Sequence, residues 1–421
     1  MVRMFRSTRG NSTKGFISAC AMAIALAGGA AVATGAAPAT VQAQDYSDAF
    51  IDAYQPVADV VNAEGGDVAS VVPQLDTIVS LAQNADEKYA AGNLILIAGN
   101  KTGEQPMQRR GLEIMLESGK VPVENVAQFQ WFVGNIAFNE GDYMASRAAL
   151  SAAVASGWNQ DDPVGLIAET YWQSDDAVGG LAYLQEQIPG VLAAGGQVDS
   201  NWILRGLVTA YDAENFDASV DATAMLVKAN PVQQSWLNGL QVVNALGEFE
   251  GDVRIDLLRL MRLTDTMTQS QEFIRYIAAA DPRVYSNEIS GVLARGLADG
   301  HFETDDPYYQ EVKSTVDRAM AGDRAEAPSL VSEAEADANG ESAMIAGNVL
   351  MTLEDWSGAE AMFAMAAEKG GVDTNLATLR TGMMQVHQGK VAEAQQTLAG
   401  VTGERAAIAR LWSTYAEVNG G

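Results

Sequence analysis

Apolar residues recur at three- and four-residue spacing along most of the chain, in segments of about 12–18 residues. No stretch sustains the two-residue alternation of a half-buried strand, and no tight turn joins two β-branched runs. The pattern therefore predicts an all-α fold. Chain reversals are expected at Gly65-Gly66, Gly195-Gly196 and Gly370-Gly371. Helix starts are expected at the acid–proline pairs Asp162-Pro163, Asp281-Pro282 and Asp306-Pro307.

The N-terminal segment has a different pattern. Residues 1–15 contain basic residues and no acid, and an apolar run rich in small residues follows from Phe16 to about Ala33. The sequence Val41-Gln42-Ala43 suits a signal peptidase and predicts cleavage after Ala43. The alternative is a retained membrane anchor, but the run is rich in Gly and Ala and has no basic stop-transfer flank. We therefore expect a Sec-type signal peptide, a periplasmic or secreted protein, and no integral membrane segment in the mature chain.

The single cysteine lies inside this segment. Ile17-Ser18-Ala19-Cys20 matches a bacterial lipoprotein acylation box by letter, but the main apolar run comes after Cys20 instead of before it. Cys20 is therefore assigned to the signal peptide. A mature chain without cysteine has no disulfide, no thiol nucleophile and no cysteine metal ligand.

Acidic residues dominate the charge. The full chain carries a net charge of −28, and removal of the four basic residues of the signal leaves 22 basic against 54 acidic residues, a net charge of −32. Such a surface repels nucleic-acid phosphates and anionic lipid headgroups. We expect no nucleic-acid partner. The acidity indicates either a surface tuned for solubility or a basic partner or divalent cation.

A short motif recurs three times. The copies are Ala91-Gly92-Asn93-Leu94-Ile95-Leu96, Val133-Gly134-Asn135-Ile136-Ala137-Phe138 and Ala346-Gly347-Asn348-Val349-Leu350-Met351. Seven residues after the three motif glycines come Gly99, Gly141 and Glu354, and the aromatic residues Tyr143 and Trp356 follow in the second and third copies. The recurrence predicts helical pairs that repeat with nearly constant length.

This arrangement resembles the tetratricopeptide repeat family, here as an exported bacterial member. Residues 340–373 match best, with Gly347 at the helix crossing, Trp356 at the aromatic turn position, and Ala359, Phe363 and Ala366 on the packing face of the second helix. Residues 127–160 and 375–402 match as further copies. The resemblance implies an α-α superhelix (solenoid) of helix-turn-helix repeats.

The expected organisation has four parts. Residues 1–43 form the signal peptide, and residues 44–231 form N-terminal repeats with an insertion near Asn100–Pro106. Residues 232–325 lose the glycine-aromatic turn and are either diverged repeats or a helical insert. Residues 326–421 form C-terminal repeats that end in a capping helix.

Catalytic patterns are weak. His301 and His387 lie far apart in the sequence, no Gly-x-Ser-x-Gly elbow accompanies them, and both are expected to be packed or solvated. The acidic pairs Asp161-Asp162, Asp175-Asp176 and Asp305-Asp306 fit helix caps and turns. We expect no enzyme activity, no cofactor and no metal site. A basic patch made by Arg254, Arg259 and Arg262 is expected either to pair with nearby carboxylates or to contact an acidic partner.

The resemblance places a partner-binding groove on the first helix of each repeat. The candidate groove residues are Tyr89, Asn93, Trp131, Asn135, Phe138, Asn139, Met344, Asn348 and Met351. An asparagine amide both donates and accepts, so the three asparagines can bind the backbone of a peptide. Alternatively, each asparagine pairs with a neighbouring helix and keeps the repeats in register.

The leading hypothesis is a non-catalytic periplasmic scaffold or adaptor that binds a protein or peptide in a superhelical groove, in cell-envelope assembly or secretion. Two alternatives remain open. One is an envelope enzyme with a helical superstructure like that of lytic transglycosylases, whose catalytic part would lie in residues 232–325. The other is an acidic protein that binds cations or glycans.

Overall fold

A computed structural model describes residues 46–249 and 251–420. Within these residues the chain forms α-helices and short 3-10 turns and contains no strand, so the predicted all-α fold is confirmed. The predicted signal peptide and Cys20 lie outside the described residues. No helix of the described part is both long enough and apolar enough to cross a membrane. The chain divides into two compact units between Ser174 and Asp175.

The first unit consists of helices that pack against their neighbours in chain order. Two 3-10 turns, Val68–Ser70 and Val72–Gln74, connect its first two helices. Its helices are α1 (Asp48–Asn62), α2 (Leu75–Leu81), α3 (Ala85–Thr102), α4 (Gln105–Glu117), α5 (Val123–Asn139), α6 (Tyr143–Ala155) and α7 (Pro163–Trp172).

The helices of the second unit also pack against their neighbours in chain order. Its helices are α8 (Ala177–Ala193), α9 (Ser200–Asp212), α10 (Phe216–Ala229), α11 (Gln233–Leu246), α12 (Gly251–Leu263), α13 (Ser270–Ala279), α14 (Ser286–Ala298), α15 (Pro307–Ala336), α16 (Glu341–Thr352), α17 (Trp356–Lys369), α18 (Thr374–His387), α19 (Val391–Ala399) and α20 (Ala406–Asn419). Helix α15 is continuous through residues 325 and 326, and Gly403–Arg405 forms a 3-10 turn before α20.

Glycine marks the point where paired helices approach most closely. A Cβ added to Gly347 in α16 would lie 2.7 Å from Cδ1 of Phe363 in α17. A Cβ on Gly134 or Gly382 would likewise lie 2.6 Å from a side-chain carbon of the leucine sixteen residues later, Leu150 or Leu398. The predicted position of Gly347 at a close crossing is confirmed, and Ala359, Phe363 and Ala366 are fully buried as expected.

The turns inside the helical pairs use a left-handed residue followed by an aspartate cap. Gly141 has φ 78° and Glu354 has φ 62°, and the following residues Asp142 and Asp355 accept hydrogen bonds from backbone amides three residues later. A left-handed conformation is strained for a residue with a Cβ and unstrained for glycine. Glu354 therefore occupies a backbone position that favours glycine.

Gly99 has the same spacing from its motif glycine as Gly141 but does not lie in a turn. Gly99 lies inside α3, and a Cβ there would be 2.7 Å from the backbone nitrogen of Gln108 in α4. The left-handed turn residue is Gly103, with φ 75°. It follows Gly92 by eleven residues instead of seven, because α3 is one helical turn longer than its counterpart α5 at this end.

The acid–proline pairs behave differently from one another. Asp162 accepts a hydrogen bond from the amide of Gly165 at the start of α7, and Asp306 accepts one from Tyr308 at the start of α15, as predicted. Asp281-Pro282 does not begin a helix. Asp281 instead binds the backbone nitrogen and guanidinium of Arg283 in a turn, and α14 begins only at Ser286.

The second unit also has contacts between its early and late helices. Helix α20 packs against α10, although about two hundred residues of chain separate them. Lys228 Nζ lies 2.7 Å from Glu417 Oε2, and the rings of Trp236 and Tyr415 are 5.8 Å apart. Within this unit the helical array therefore closes on itself.

Candidate functional site

The three motif asparagines have three different environments. Asn135 Nδ2 in α5 donates to the carbonyl oxygen of Trp131, one turn earlier in the same helix, at 3.1 Å. Asn348 Oδ1 in α16 accepts a 2.7 Å hydrogen bond from Arg380 Nη1 in α18. Asn93 Oδ1 in α3 is buried and has no hydrogen-bond partner within the described part of the chain. Only Asn348 thus bonds to a side chain of another helix.

Aromatic residues surround the candidate positions of the first unit. Trp131 is 6% exposed and stacks on Trp158, with ring centroids 5.5 Å apart and planes at 22°. The indole nitrogen of Trp158 is buried and unbonded among the described residues. The ring of Phe138 meets Tyr143 edge-on at 5.5 Å. This part of the unit therefore combines packed aromatic rings with buried polar atoms that have no partner among the described residues.

Tyr89 and Asn139 mark the two ends of this set. Tyr89 is half-buried on α3 beside the apolar cluster that contains Leu96 and Met115, and this burial raises the pKa of its hydroxyl. It lies one turn before Asn93 on the same helix face. Asn139, at the end of α5, is exposed. Within the described part of the chain, no hydrogen bond or ring contact joins the candidates on α3 directly to those on α5.

The candidate positions of the second unit face its interior. Met351 is 5% exposed, and Met344 is half-buried against the same apolar core. Asn348 lies between them and binds Arg380, which is 1% exposed. The structure thus places these three residues among buried groups.

The interior of the second unit contains a charged cluster that the repeat pattern did not predict. Arg259 in α12 donates to Asp256 Oδ1 at 2.6 Å and holds both carboxylate oxygens of Glu288 in α14 at 2.8 and 2.9 Å. Tyr276 also donates to Glu288. Burial would raise the pKa of Glu288, but the charge and hydrogen bonds of Arg259, the hydrogen bond from Tyr276 and the charge of Arg262 together outweigh it and hold this pKa below its usual range.

The same cluster extends to the later helices. Trp412 Nε1 in α20 donates to the carbonyl oxygen of Asp256 at 3.0 Å, and Arg380 Nε in α18 lies 3.6 Å from Asp256 Oδ1. Thr352 in α16 accepts a hydrogen bond from the Glu288 amide. The cluster therefore links α12, α14, α16, α18 and α20. Removal of one partner from such a buried pair would leave an uncompensated charge and destabilise the packing of these helices.

Two of the three arginines of the basic patch form bonds within the chain. Arg259 pairs with buried carboxylates, which confirms the intramolecular alternative at this residue. Arg254 donates to the carbonyl oxygen of Phe249 and to Asn244 Oδ1. Arg262 is exposed. The three arginines therefore do not form one surface.

The two histidines pack against aromatic rings. His387 stacks on Trp356 at 4.2 Å with planes at 10°, and its other neighbour is Trp412 at 5.8 Å. Burial, together with the positive charge of Arg262, lowers the pKa of His387 to about 4. His301 lies 4.7 Å from the ring of Phe273. The described residues contain no group of three or more His, Cys, Asp or Glu side chains placed to hold a metal ion.

No protein-family model matches the chain. No curated protein matches it either.

Proposed function

We propose that this protein is an exported, non-catalytic scaffold or adaptor that binds a protein or peptide segment along helices α3 and α5 of its first unit. The observation that carries the proposal is the buried, unbonded amide oxygen of Asn93. A buried acceptor without a donor costs about 1–3 kcal/mol, and a donor from a bound partner removes that cost. Because this oxygen is inaccessible in the free protein, the proposal requires the half-buried Asn93 side chain to turn its amide oxygen outward, where it accepts from a backbone N–H of the partner.

The hydrogen bonds of the asparagines distinguish between the two alternatives for their role, helix register and partner binding. An asparagine that keeps repeats in register bonds to a neighbouring helix, as Asn348 does with Arg380. Asn135 instead bonds to its own helix through Nδ2, which leaves the acceptor capacity of its amide oxygen for a partner. The proposed binding surface therefore consists of Tyr89, Asn93, Trp131, Asn135, Phe138 and Asn139, and it excludes the interior residues of the second unit.

The aromatic residues supply the apolar part of the proposed surface. Trp131 is held by its stack on Trp158, so it loses little side-chain entropy when a partner binds. Phe138 is half-buried and flanks Asn139 in the sequence. Rigid rings beside amide groups suit an extended segment that is held mainly through its backbone.

The test is affinity capture from a periplasmic extract with the mature protein as bait, read by mass spectrometry. The variants Asn93→Ala and Asn135→Ala are expected to lose the captured partner at unchanged helicity. Asn201→Ala provides the matched control, because the Asn201 side chain is exposed at the start of α9. Capture that is equal for all four proteins would overturn the assignment of the surface. Hydrolysis of peptidoglycan by the purified protein would overturn the non-catalytic role.

A further inference from the structure

A cavity of about 720 Å³ opens between helices α11, α12 and α13 of the second unit. Two arginines, Arg254 and Arg275, line it together with Asn244 and the small residues Gly251, Ala278 and Ala279. A volume of this size is typical of sites for small organic molecules. Two guanidinium groups at one cavity are unexpected in a chain with 54 acidic and 26 basic residues.

Among the side chains that the structure describes, no carboxylate pairs with either guanidinium. Arg254 Nε and Nη2 donate to the carbonyl oxygen of Phe249 at 3.0 and 2.7 Å, and Nη1 donates to Asn244 Oδ1 at 3.3 Å. All three acceptors are uncharged. By contrast, Arg259 on the same helix is held by two carboxylates. Arg254 therefore carries a positive charge that is fixed in position, and its acceptors among the described side chains and carbonyl groups are all neutral.

The guanidinium of Arg275 adds a second positive charge at the cavity. Burial and the positive charge of Arg275 together lower the pKa of Arg254. Two like charges at one cavity repel each other, and an anion bound between them removes the repulsion and gains attraction from both. Helix α12 begins at Gly251 on the cavity wall, so the positive end of its dipole adds to the attraction.

We propose that this cavity binds a small organic anion, whose carboxylate or phosphate group lies between Arg254 and Arg275 and whose apolar body rests on Ala278 and Ala279. Guanidinium groups bind both kinds of oxyanion through paired hydrogen bonds, so the two share one recognition chemistry. The site lies wholly in the second unit, and it does not depend on the peptide surface proposed for the first.

The decisive experiment is calorimetric titration of the mature protein at low ionic strength with phenyl phosphate and with benzoate. Comparison of the affinities for the two probes shows whether the site prefers a phosphate or a carboxylate group. Arg275→Met is the informative variant, because Arg275 is exposed and its replacement leaves the bonds of Arg254 in place. It is expected to weaken binding of the preferred probe at least tenfold. Arg318→Met, on the exposed face of α15, is the matched control and is expected to bind like wild type.

Charge reversal gives a second readout that does not depend on affinity. Arg275→Glu supplies Arg254 with a carboxylate from within the chain, so this variant is expected to melt at a higher temperature than Arg275→Met and to show no shift of Tm with either probe. Equal binding by wild type and Arg275→Met would overturn the proposal. Equal weakening by Arg318→Met would overturn it too, because it would show that only the overall charge matters.

The neighbouring acids provide a check on the sign of the ligand charge. Glu250 and Asp252 flank Gly251 in the sequence. The double variant Glu250→Gln/Asp252→Asn is expected to bind the anionic probe as tightly as wild type or more tightly. Loss of binding in this variant would show that carboxylates carry the interaction, which contradicts an anion site.

Discussion

The imidazole of His387 lies flat against the indole of Trp356, with ring centroids 4.2 Å apart, at the contact between helices α17 and α18. The ring is largely buried, and Arg262 and Arg259 add positive charge while Glu288 opposes them. The neutral imidazole is therefore favoured in the folded state. This links the stability of the second unit to pH.

The protein is expected to lose stability as the pH falls from about 6.5 to about 4. The unfolded chain binds a proton at His387 near pH 6.5, whereas the folded chain binds it only near pH 4, so protonation favours unfolding over this interval. The loss amounts to at most about 3 kcal/mol. His387→Phe keeps an aromatic ring without the titration. Urea unfolding of both proteins between pH 7.5 and 4 measures the effect, and a difference in free energy that does not vary with pH contradicts it.

Gly347→Ala is expected to destabilise the protein by about 1–3 kcal/mol, because the new methyl group would overlap the buried ring of Phe363. Gly322→Ala in α15 is the matched control. A Cβ there has its nearest neighbour at 3.7 Å, so helix propensity alone predicts a gain of about 0.5–1 kcal/mol. Chemical denaturation measures both changes. Equal effects of the two substitutions would show that the close crossing is unimportant.

Glu354→Gly is expected to stabilise the protein by about 0.5 kcal/mol, because it relieves a left-handed backbone at φ 62°. Gly141→Ala, at the corresponding turn of the first unit, is expected to cost about 1 kcal/mol for the same reason. Thermal unfolding of both variants measures whether the two changes in stability have opposite signs. Destabilisation by Glu354→Gly would mean that the Glu354 side chain makes a contribution larger than the backbone strain.

The two asparagine substitutions Asn348→Ala and Asn93→Ala are expected to affect stability differently. Asn348→Ala removes an acceptor from the buried guanidinium of Arg380 and should cost about 1.5–3 kcal/mol. Asn93→Ala removes a buried acceptor that has no donor, and it should leave stability unchanged or raise it. Free energies of unfolding from urea titration distinguish the two. A large loss in Asn93→Ala would support the role in helix register at this position.

Removal of residues 406–421 is expected to unfold most of the second unit and not only its last pair. Helix α20 contacts α10, α12 and α18, and Trp412 is fully buried. Limited proteolysis with mass spectrometry gives the readout, with new cleavage sites expected throughout residues 175–405. Cleavage confined to α19 would indicate simple fraying of an open array.

Local features of the fold could be predicted because they depend on residues close together in the sequence. The spacing of Gly347 and Phe363 and the caps at Asp162 and Asp306 required no knowledge of distant contacts. The spacing of Gly99 does not locate the chain reversal, because one extra helical turn moves the reversal to Gly103 without changing the apolar period.

The charged interior of the second unit could not be predicted in this way. Glu288 lies 29 residues from Arg259, and Trp412 lies 156 residues from its acceptor Asp256, so neither pairing follows from a repeat register. From the sequence one could conclude only that many carboxylates are available to pair with the arginines. At the candidate surface, the recurring asparagines were visible in the sequence, but their different bonding depends on side chains of neighbouring helices.

The contact of α20 with α10 also constrains how this sequence can change. An open array gains or loses a helical pair with little disturbance, because each pair meets only its neighbours. In the second unit an added pair would separate Lys228 from Glu417 and Trp236 from Tyr415. The number of pairs in this unit is therefore fixed by its geometry, so we expect insertions and deletions to be confined to its loops and substitutions to be its main source of variation.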